Sequence, residues 1–281
     1  MKQNNPKATI LISGPDQDIT SLQNPRIKNV VKLRQRAARD EQGILIVEGY
    51  RELKRALENN RRPVSLFYCQ DFFLGDNEPA LINQCRDAGA EILSCSRMVF
   101  AKMAYRERPE GLLALIPQAT FDLSGLKLSP APLLIVAEAI EKPGNLGTIL
   151  RSADAAGADA VIVCDRCTDI NNPNVVRASI GAVFTVPVVE TSSPETIKWL
   201  HEKKIKILAA SPHARLVYTR ADLRHGTAIV VGTEQYGLSE QWMQAADLQV
   251  RIPMRGQIDS LNVAAATTIL LFEAARQRAD G

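Results

Sequence analysis

The sequence has no apolar run approaching the roughly 20 residues that span a bilayer. Its opening stretch, MKQNNPKATILISGPDQDIT, is polar and lacks the apolar region of a secretion signal. The expectation is therefore a soluble, cytoplasmic protein. Cysteines are few and odd in number: Cys69, Cys85, Cys95, Cys164 and Cys167. Irregular spacing excludes a disulfide framework. The lone C-x-x-C pair, Cys164 and Cys167, falls two ligands short of a structural zinc site. The three histidines, His201, His213 and His225, form no metal-binding pattern, so no metal is expected. There is no G-x-G-x-x-G and no Walker lysine motif. That argues against a conventionally bound dinucleotide and against a P-loop triphosphate. An excess of charge is missing too. The net charge of +3 over 281 residues does not by itself announce a polyanion binder.

The distribution of charge says more than its sum. Between Ser21 and Arg62 there are eleven basic residues against five acidic ones. Uneven basicity of this kind suggests a polyanion surface, although a solvated helix face would look the same. The candidates for gripping a polyanion are Arg26, Lys28, Lys32, Arg34, Arg36 and Arg39.

The apolar pattern divides the chain in two. Residues 1–17 read as a flexible tail. From 18 to 117, strands such as GILIVEG, SLFYC, EILSC and GLLALIP alternate with helices. The first helix, SLQNPRIKNVVKLRQRAARDEQ, opens on Asn24 and Pro25, an N-cap followed by proline. Residues 118–132 are rich in Pro, Ser and Gly and read as a linker. Residues 133–281 alternate again, with strands that are apolar throughout. Such strands suit a mainly parallel sheet covered on both faces. AVFTVPVVE reads as one strand, and TILRSADAAG as the helix that follows a PGNLG loop.

Three polar loops in the second half each follow a strand and precede a helix: EKPGNLGTILR, GTEQYGLSE and IPMRGQIDSLN. Ligands of open α/β sheets bind at the carboxyl ends of strands, so the three loops predict one composite site. On the residues alone, this is an α/β enzyme with a nucleotide-like cofactor.

The loops resemble, in order and spacing, the three motifs of the SpoU/TrmH branch of the SPOUT methyltransferases. The first has Asn145, Gly147 and Arg151; the second has Gly232, Glu234 and Gly237. The third has Ile252, Pro253, Gly256, Ser260, Leu261 and Asn262. RASIGAVFTVPV, from Arg177 to Val188, is similar to a further family signature. NPRIKNVVKLRQRAARDEQGILIVEG resembles the L30e-like substrate-binding domain that many members carry. The resemblance covers about 19–278. It implies S-adenosylmethionine-dependent methylation of a ribose 2′-OH in RNA, a deep trefoil knot in the catalytic domain, and a homodimer built through that domain. The appended L30e-like domain tilts the substrate towards large-subunit ribosomal RNA. Transfer RNA and antibiotic-resistance methylation of the ribosome are the alternatives within the family.

By position, the resemblance implies cofactor contacts at Gly232, Thr233, Ile252, Pro253, Met254, Gly256 and Leu261, largely through the backbone. It implies catalytic roles for Asn145, Arg151, Glu234, Ser260 and Asn262. Arg151 is either a general base or a clamp on the substrate phosphate. A guanidinium with a pKa above ~12 favours the clamp. Asn145 and Asn262 are open between orienting the ribose and capping helices. Glu234 would accept a hydrogen bond from Arg151 or from the substrate hydroxyl. Two readings from other classes stand beside this one. A nicotinamide-dependent oxidoreductase would need the glycine fingerprint that PGNLG lacks. A catalytically inactive RNA-binding protein would have lost the motif residues, all of which are present.

Overall fold

A computed structural model describes residues 17–279. All but the last residue of the expected N-terminal tail lies outside that range. The chain divides after Gln118 into two compact units.

The first unit runs β1 (Gln17–Ile19), α1 (Pro25–Lys32), α2 (Arg36–Gln42), β2 (Ile44–Glu48), α3 (Tyr50–Glu58), β3 (Ser65–Tyr68), α4 (Glu78–Asp87), β4 (Glu91–Cys95), α5 (Arg97–Met103) and β5 (Leu112–Pro117). Its five strands form one mixed sheet in the order β1-β4-β3-β5-β2, with β5 antiparallel to both neighbours. The single helix expected at the start is two helices. The chain breaks at Leu33–Gln35, and the carbonyls of Leu33 and Arg34 accept hydrogen bonds from Arg39 at 2.8 Å each. Leu33 is fully buried at the break, so packing fixes a turn that the helical period did not show.

The second unit runs β6 (Leu133–Glu138), α6 (Pro143–Ala155), β7 (Ala160–Cys164), α7 (Pro173–Ala178), β8 (Val188–Thr191), α8 (Ser193–Glu202), β9 (Lys206–Ala210), β10 (Leu216–Val217), β11 (Thr227–Val231), α9 (Glu240–Ala245), β12 (Leu248–Arg251) and α10 (Val263–Ala279). The seven strands lie in the order β10-β12-β9-β11-β6-β7-β8, and every pairing is parallel. Side chains alternate between two cores. Leu133, Ile135, Val161, Val163, Ile229 and Val231 pack with α6 and α10 on one face. Leu134, Val136, Ile162, Ile207 and Val230 pack with Trp199, Leu200 and Trp242 on the other. A strand buried on both faces has no need of polar alternation, which accounts for the unbroken apolar runs.

Three expectations change here. AVFTVPVVE is a strand only from Val188. Before it, Ala182–Phe184 forms a tight helical turn. The segment after β5 is no bare linker: Leu123, Leu126 and Leu128 pack on the core of the second unit, and Phe121 bridges to Val189. Finally, α6 begins at Pro143, so PGNLG is its first turn and not a loop. Proline at the first helical position lacks only an N–H that would go unpaired anyway. Gly147 then faces α7. A Cβ there would lie 2.5 Å from the Ala178 Cβ and 2.9 Å from the Val175 carbonyl oxygen. Glycine is required because the two helices touch backbone to backbone. α10 crosses the same helix, and Ser152 and Thr268 share a hydrogen bond of 2.7 Å.

Candidate active site

An all-parallel sheet sends every carboxyl end to one edge. β6 and β11 are neighbours, so the loops that follow them emerge side by side. β12 is two strands from β11, with β9 between them. The segment from Ile252 to Asn262 leaves β12, forms no helix or strand, and returns to the loops after β6 and β11 at Asn262. It therefore arches across the carboxyl end of β9, a span of about 10 Å at the usual strand spacing.

Each loop presents one polar side chain to a common cluster. Lys142 stands at the N-cap position of α6, where an ammonium has no lone pair to cap with, and donates to Glu234 Oε2 at 2.7 Å. Asn145, in the first turn of α6, donates from Nδ2 to Glu234 Oε1 at 2.9 Å. Asn262 donates from Nδ2 to the same oxygen at 2.5 Å and to Asn145 Oδ1 at 3.1 Å. Its own Oδ1 accepts from the backbone N–H of Ala264 at 3.0 Å, which caps α10. Glu234 also accepts from the Val263 backbone N–H, at the positive end of α10. Asn262 thus serves both as a cap and as a site residue. Asn145 is no cap.

Glu234 is the hub that ties the three loops together. Its side chain is 29% exposed, and the Lys142 side chain is 70% exposed. The Lys142 hydrogen bond, helped by the donors at Asn145 and Val263, holds the Glu234 carboxyl below the usual carboxylate range. The same bond raises the pKa of Lys142. A carboxylate engaged by four donors is a poor proton acceptor. This replaces the expectation that Glu234 accepts from Arg151: its partners are Lys142, Asn145, Asn262 and Val263. Lys142 escaped the sequence reading, although its signal was the single cation between β6 and the helix-starting proline.

Gly232 and Gly237 shape the middle loop. Thr233 and Gly237 exchange backbone hydrogen bonds of 3.0 Å in both directions, and the Tyr236 N–H donates to Thr233 Oγ1 at 3.0 Å. A Cβ at Gly232 would sit 2.2 Å from the Gly237 carbonyl oxygen. The chain's own return, and not only a ligand, demands glycine there. Gly237 has φ +69°, the left-handed region that glycine enters without strain.

A hollow of about 320 Å³ opens beside the cluster, lined by Ile140, Lys142, Asn145, Thr233, Glu234 and Val263 among others. Ile252, Pro253, Met254 and Leu261 are half-buried along the arch and do not line this hollow. Gly256 has open space around it, and Ser260 is exposed. Arg151 is exposed in the third turn of α6, further along than a PGNLG loop would have put it. Neither Arg151 nor Ser260 bonds to the cluster.

Most of the expected polyanion-binding residues of the first unit are engaged by backbone carbonyls or carboxylates. Arg39 is 2% exposed and bonds to the carbonyls at the α1–α2 break, so it is withdrawn from any such surface. Arg34 donates to the carbonyls of Lys102, Met103 and Ala104 at the end of α5. Arg26 pairs with Glu91, Lys32 with Glu41 and Arg36 with Asp40, all in exposed positions. Lys28 is exposed as well. The C-x-x-C cysteines are separated by burial. Cys164 is fully buried against Thr196, with its thiol pushed up to about 12, and Cys167 is exposed. Among the described residues no group of three or more His, Cys, Asp and Glu could hold a metal ion.

The model of the SpoU rRNA Methylase family matches residues 132–272, and that of the MRM3-like substrate binding domain matches residues 24–114. A 23S rRNA (uridine(2479)-2′-O)-methyltransferase of Streptomyces viridochromogenes is 30% identical over 88% of this chain and 87% of its own. Among solved structures, an RNA 2′-O ribose methyltransferase is 40% identical, covers 94% of this chain and all of its own, and superposes with a TM-score of 0.83. The AdoMet-bound rRNA methyltransferase from Sinorhizobium meliloti is 29% identical, covers 94% of this chain and 98% of its own, and superposes with a TM-score of 0.85.

Proposed function

Because the chain belongs to the SpoU rRNA methylase family, we propose that it methylates a ribose 2′-OH of large-subunit ribosomal RNA with S-adenosylmethionine. The observation that carries this reading is the convergence of Lys142, Asn145, Glu234 and Asn262 from three separate loops onto one hollow. The 2′-O chemistry and the ribosomal substrate are inferred from the relatives, a 23S rRNA 2′-O-methyltransferase and an RNA 2′-O ribose methyltransferase.

The residues present suit that cofactor. The hollow is within the usual size range of small-molecule sites. Its lining mixes polar side chains, Lys142, Asn145 and Glu234, with apolar ones, Ile140 and Val263, which suits a ligand that is part charged and part apolar. Outside the hollow, Ile252, Pro253, Met254 and Leu261 are half-buried on a segment whose backbone is in no ladder and so keeps N–H and C=O groups for a ligand. When bound, S-adenosylmethionine supplies an electrophilic methyl group on sulfur.

The chain's own residues hold and orient. Glu234 fixes the amides of Asn145 and Asn262, and these present hydrogen-bonding edges to the ribose. Arg151, exposed on α6, grips the phosphate beside the target nucleotide through its planar fork. That in-line placement of nucleophile and methyl group is the main catalytic contribution expected of such a site. The first unit binds the RNA, using Lys28 and the exposed Arg26, Lys32 and Arg36. The family's knot, a homodimer and a cytoplasmic setting belong to the same proposal. Exposed Phe272 on α10 is a candidate for the dimer contact.

The test is to incubate a 23S rRNA transcript with labelled S-adenosylmethionine and to map alkali-resistant linkages. One 2′-O-methyl nucleotide is expected. Label on a base, or only on transfer RNA, would overturn the assignment. Light scattering at micromolar concentration should give twice the chain mass.

A further inference from the structure

The five-residue loop from Thr233 to Gly237 carries a side chain that the site described above does not use. Tyr236 is 79% exposed, more than any other exposed large hydrophobic residue described. The chain is poor in aromatics, 5% of its residues, and both tryptophans are buried. An aromatic ring left in water is informative when the backbone beneath it is rigid. Here both ends of the loop are tied by the Thr233–Gly237 pair, and the Tyr236 N–H is itself bonded to Thr233. Gly232 and Gly237 lock the base of the loop by contact. Two residues away, Glu234 reaches into the cluster with Asn145 and Asn262. The ring is therefore carried on a fixed stalk at the edge of the reacting centre.

We propose that Tyr236 is a stacking platform for a nucleobase of the RNA substrate, next to the ribose that receives the methyl group. The inference rests on the methyltransferase reading of the site. Its exposed neighbours in sequence, Glu234, Gln235 and Ser239, are polar, and Leu238 is turned to the core. A single ring among polar groups suits a flat, edge-hydrated base better than an apolar protein surface, which would need apolar neighbours as well. Every base has a π-face, so the contact holds a nucleotide in place without choosing its identity.

The experiment compares Tyr236→Ala and Tyr236→Phe with the wild type. It reads filter binding of a 23S rRNA transcript, the KM for that RNA, calorimetric affinity for S-adenosylmethionine, and mass by light scattering. Tyr236→Ala should lose about 5- to 150-fold in RNA affinity, the range that alanine substitution gives for one stacked base. Its cofactor affinity and mass should stay unchanged. Tyr236→Phe should restore RNA binding to within about two-fold, because stacking needs the ring and not the hydroxyl. Unchanged RNA binding by the alanine variant would overturn the inference. So would a defect traced to weakened cofactor affinity or to a halved mass, since either would put the ring against another ligand. The wild type keeps the two readings apart. Methyl transfer by wild type with no effect of the alanine variant refutes the platform alone. Absence of wild-type transfer refutes the parent reading, while filter binding still tests the ring.

Discussion

Replacing Glu234 by glutamine keeps the size of the side chain and removes its charge. The carboxylate now accepts from Asn145 and Asn262 at one oxygen and from Lys142 at the other. A glutamine amide has one accepting end. Whichever way it turns, its NH2 faces a donor, either the two asparagine amides or the lysine ammonium. Bonds to a charged group contribute about 1.5–3 kcal/mol, against about 0.5–1.5 for neutral ones. Each asparagine bond therefore weakens by roughly 1 kcal/mol. The Lys142 bond is largely exposed and screened by solvent, so it adds little to that loss. A net loss of about 2–3 kcal/mol is expected, or roughly 30- to 150-fold in an equilibrium constant. The loss falls on loop order, so the cofactor must supply that ordering when it binds. Calorimetric affinity of Glu234→Gln for S-adenosylmethionine should fall by that factor. The melting temperature of the catalytic unit should drop by about 4–12 °C, at 2–4 °C per kcal/mol for a domain of this size. Wild-type affinity and wild-type melting together would refute the hub, showing that the charge on Glu234 organises nothing.

Arg151→Ala should abolish methyl transfer and leave cofactor affinity within a few fold; Arg151→Lys should also fail, because an ammonium cannot reproduce the planar fork. Near-normal turnover by either variant in a tritium-release or incorporation assay would remove Arg151 from the site. Gly147→Ala drives a methyl group into α7 and should cost about 1–3 kcal/mol by overpacking, seen as lower thermal stability and displaced α6 residues; unchanged melting would mean that the helices part freely. The pH dependence follows from the lowered pKa of Glu234. A group depressed in the folded state contributes order above its unfolded pKa and loses it as the pH falls through the folded value. Cofactor affinity should therefore hold down to the ordinary carboxylate range and fall only below it. In Lys142→Met the Glu234 pKa rises, so the acid loss begins at higher pH, and Lys142→Arg should restore the profile. Identical acid limbs in all three proteins would exclude the ion pair as their cause.

Much of the second unit was legible from local pattern. Apolar runs such as LLIVAE and AIVV bury both faces of a strand wherever they pair, so a covered, mainly parallel sheet followed from the unbroken runs and their alternation with helices. The three motif loops were visible as polar, glycine-bearing stretches after apolar strands, and a cap was one of the two readings of Asn262, which does cap α10; the start of α6 at Pro143 was missed, because PGNLG reads locally as a loop. Three determinants came only from the tertiary structure. Gly147 and Gly232 are needed for contacts with Ala178 and with Gly237, which no local rule contains. Arg34 and Arg39 look like free cations in sequence, yet they are spent on carbonyls at the end of α5 and at the α1–α2 break. A helical period cannot say whether a charge faces water or an unpaired backbone group. Lys142 and Glu234 lie 92 residues apart, and only the neighbouring of β6 and β11 brings them within hydrogen-bonding distance. Sequence fixes which residues can carry charge and hydrogen bonds; strand order decides which of them meet, because pairing across a sheet is a long-range choice that short-range periodicity does not encode.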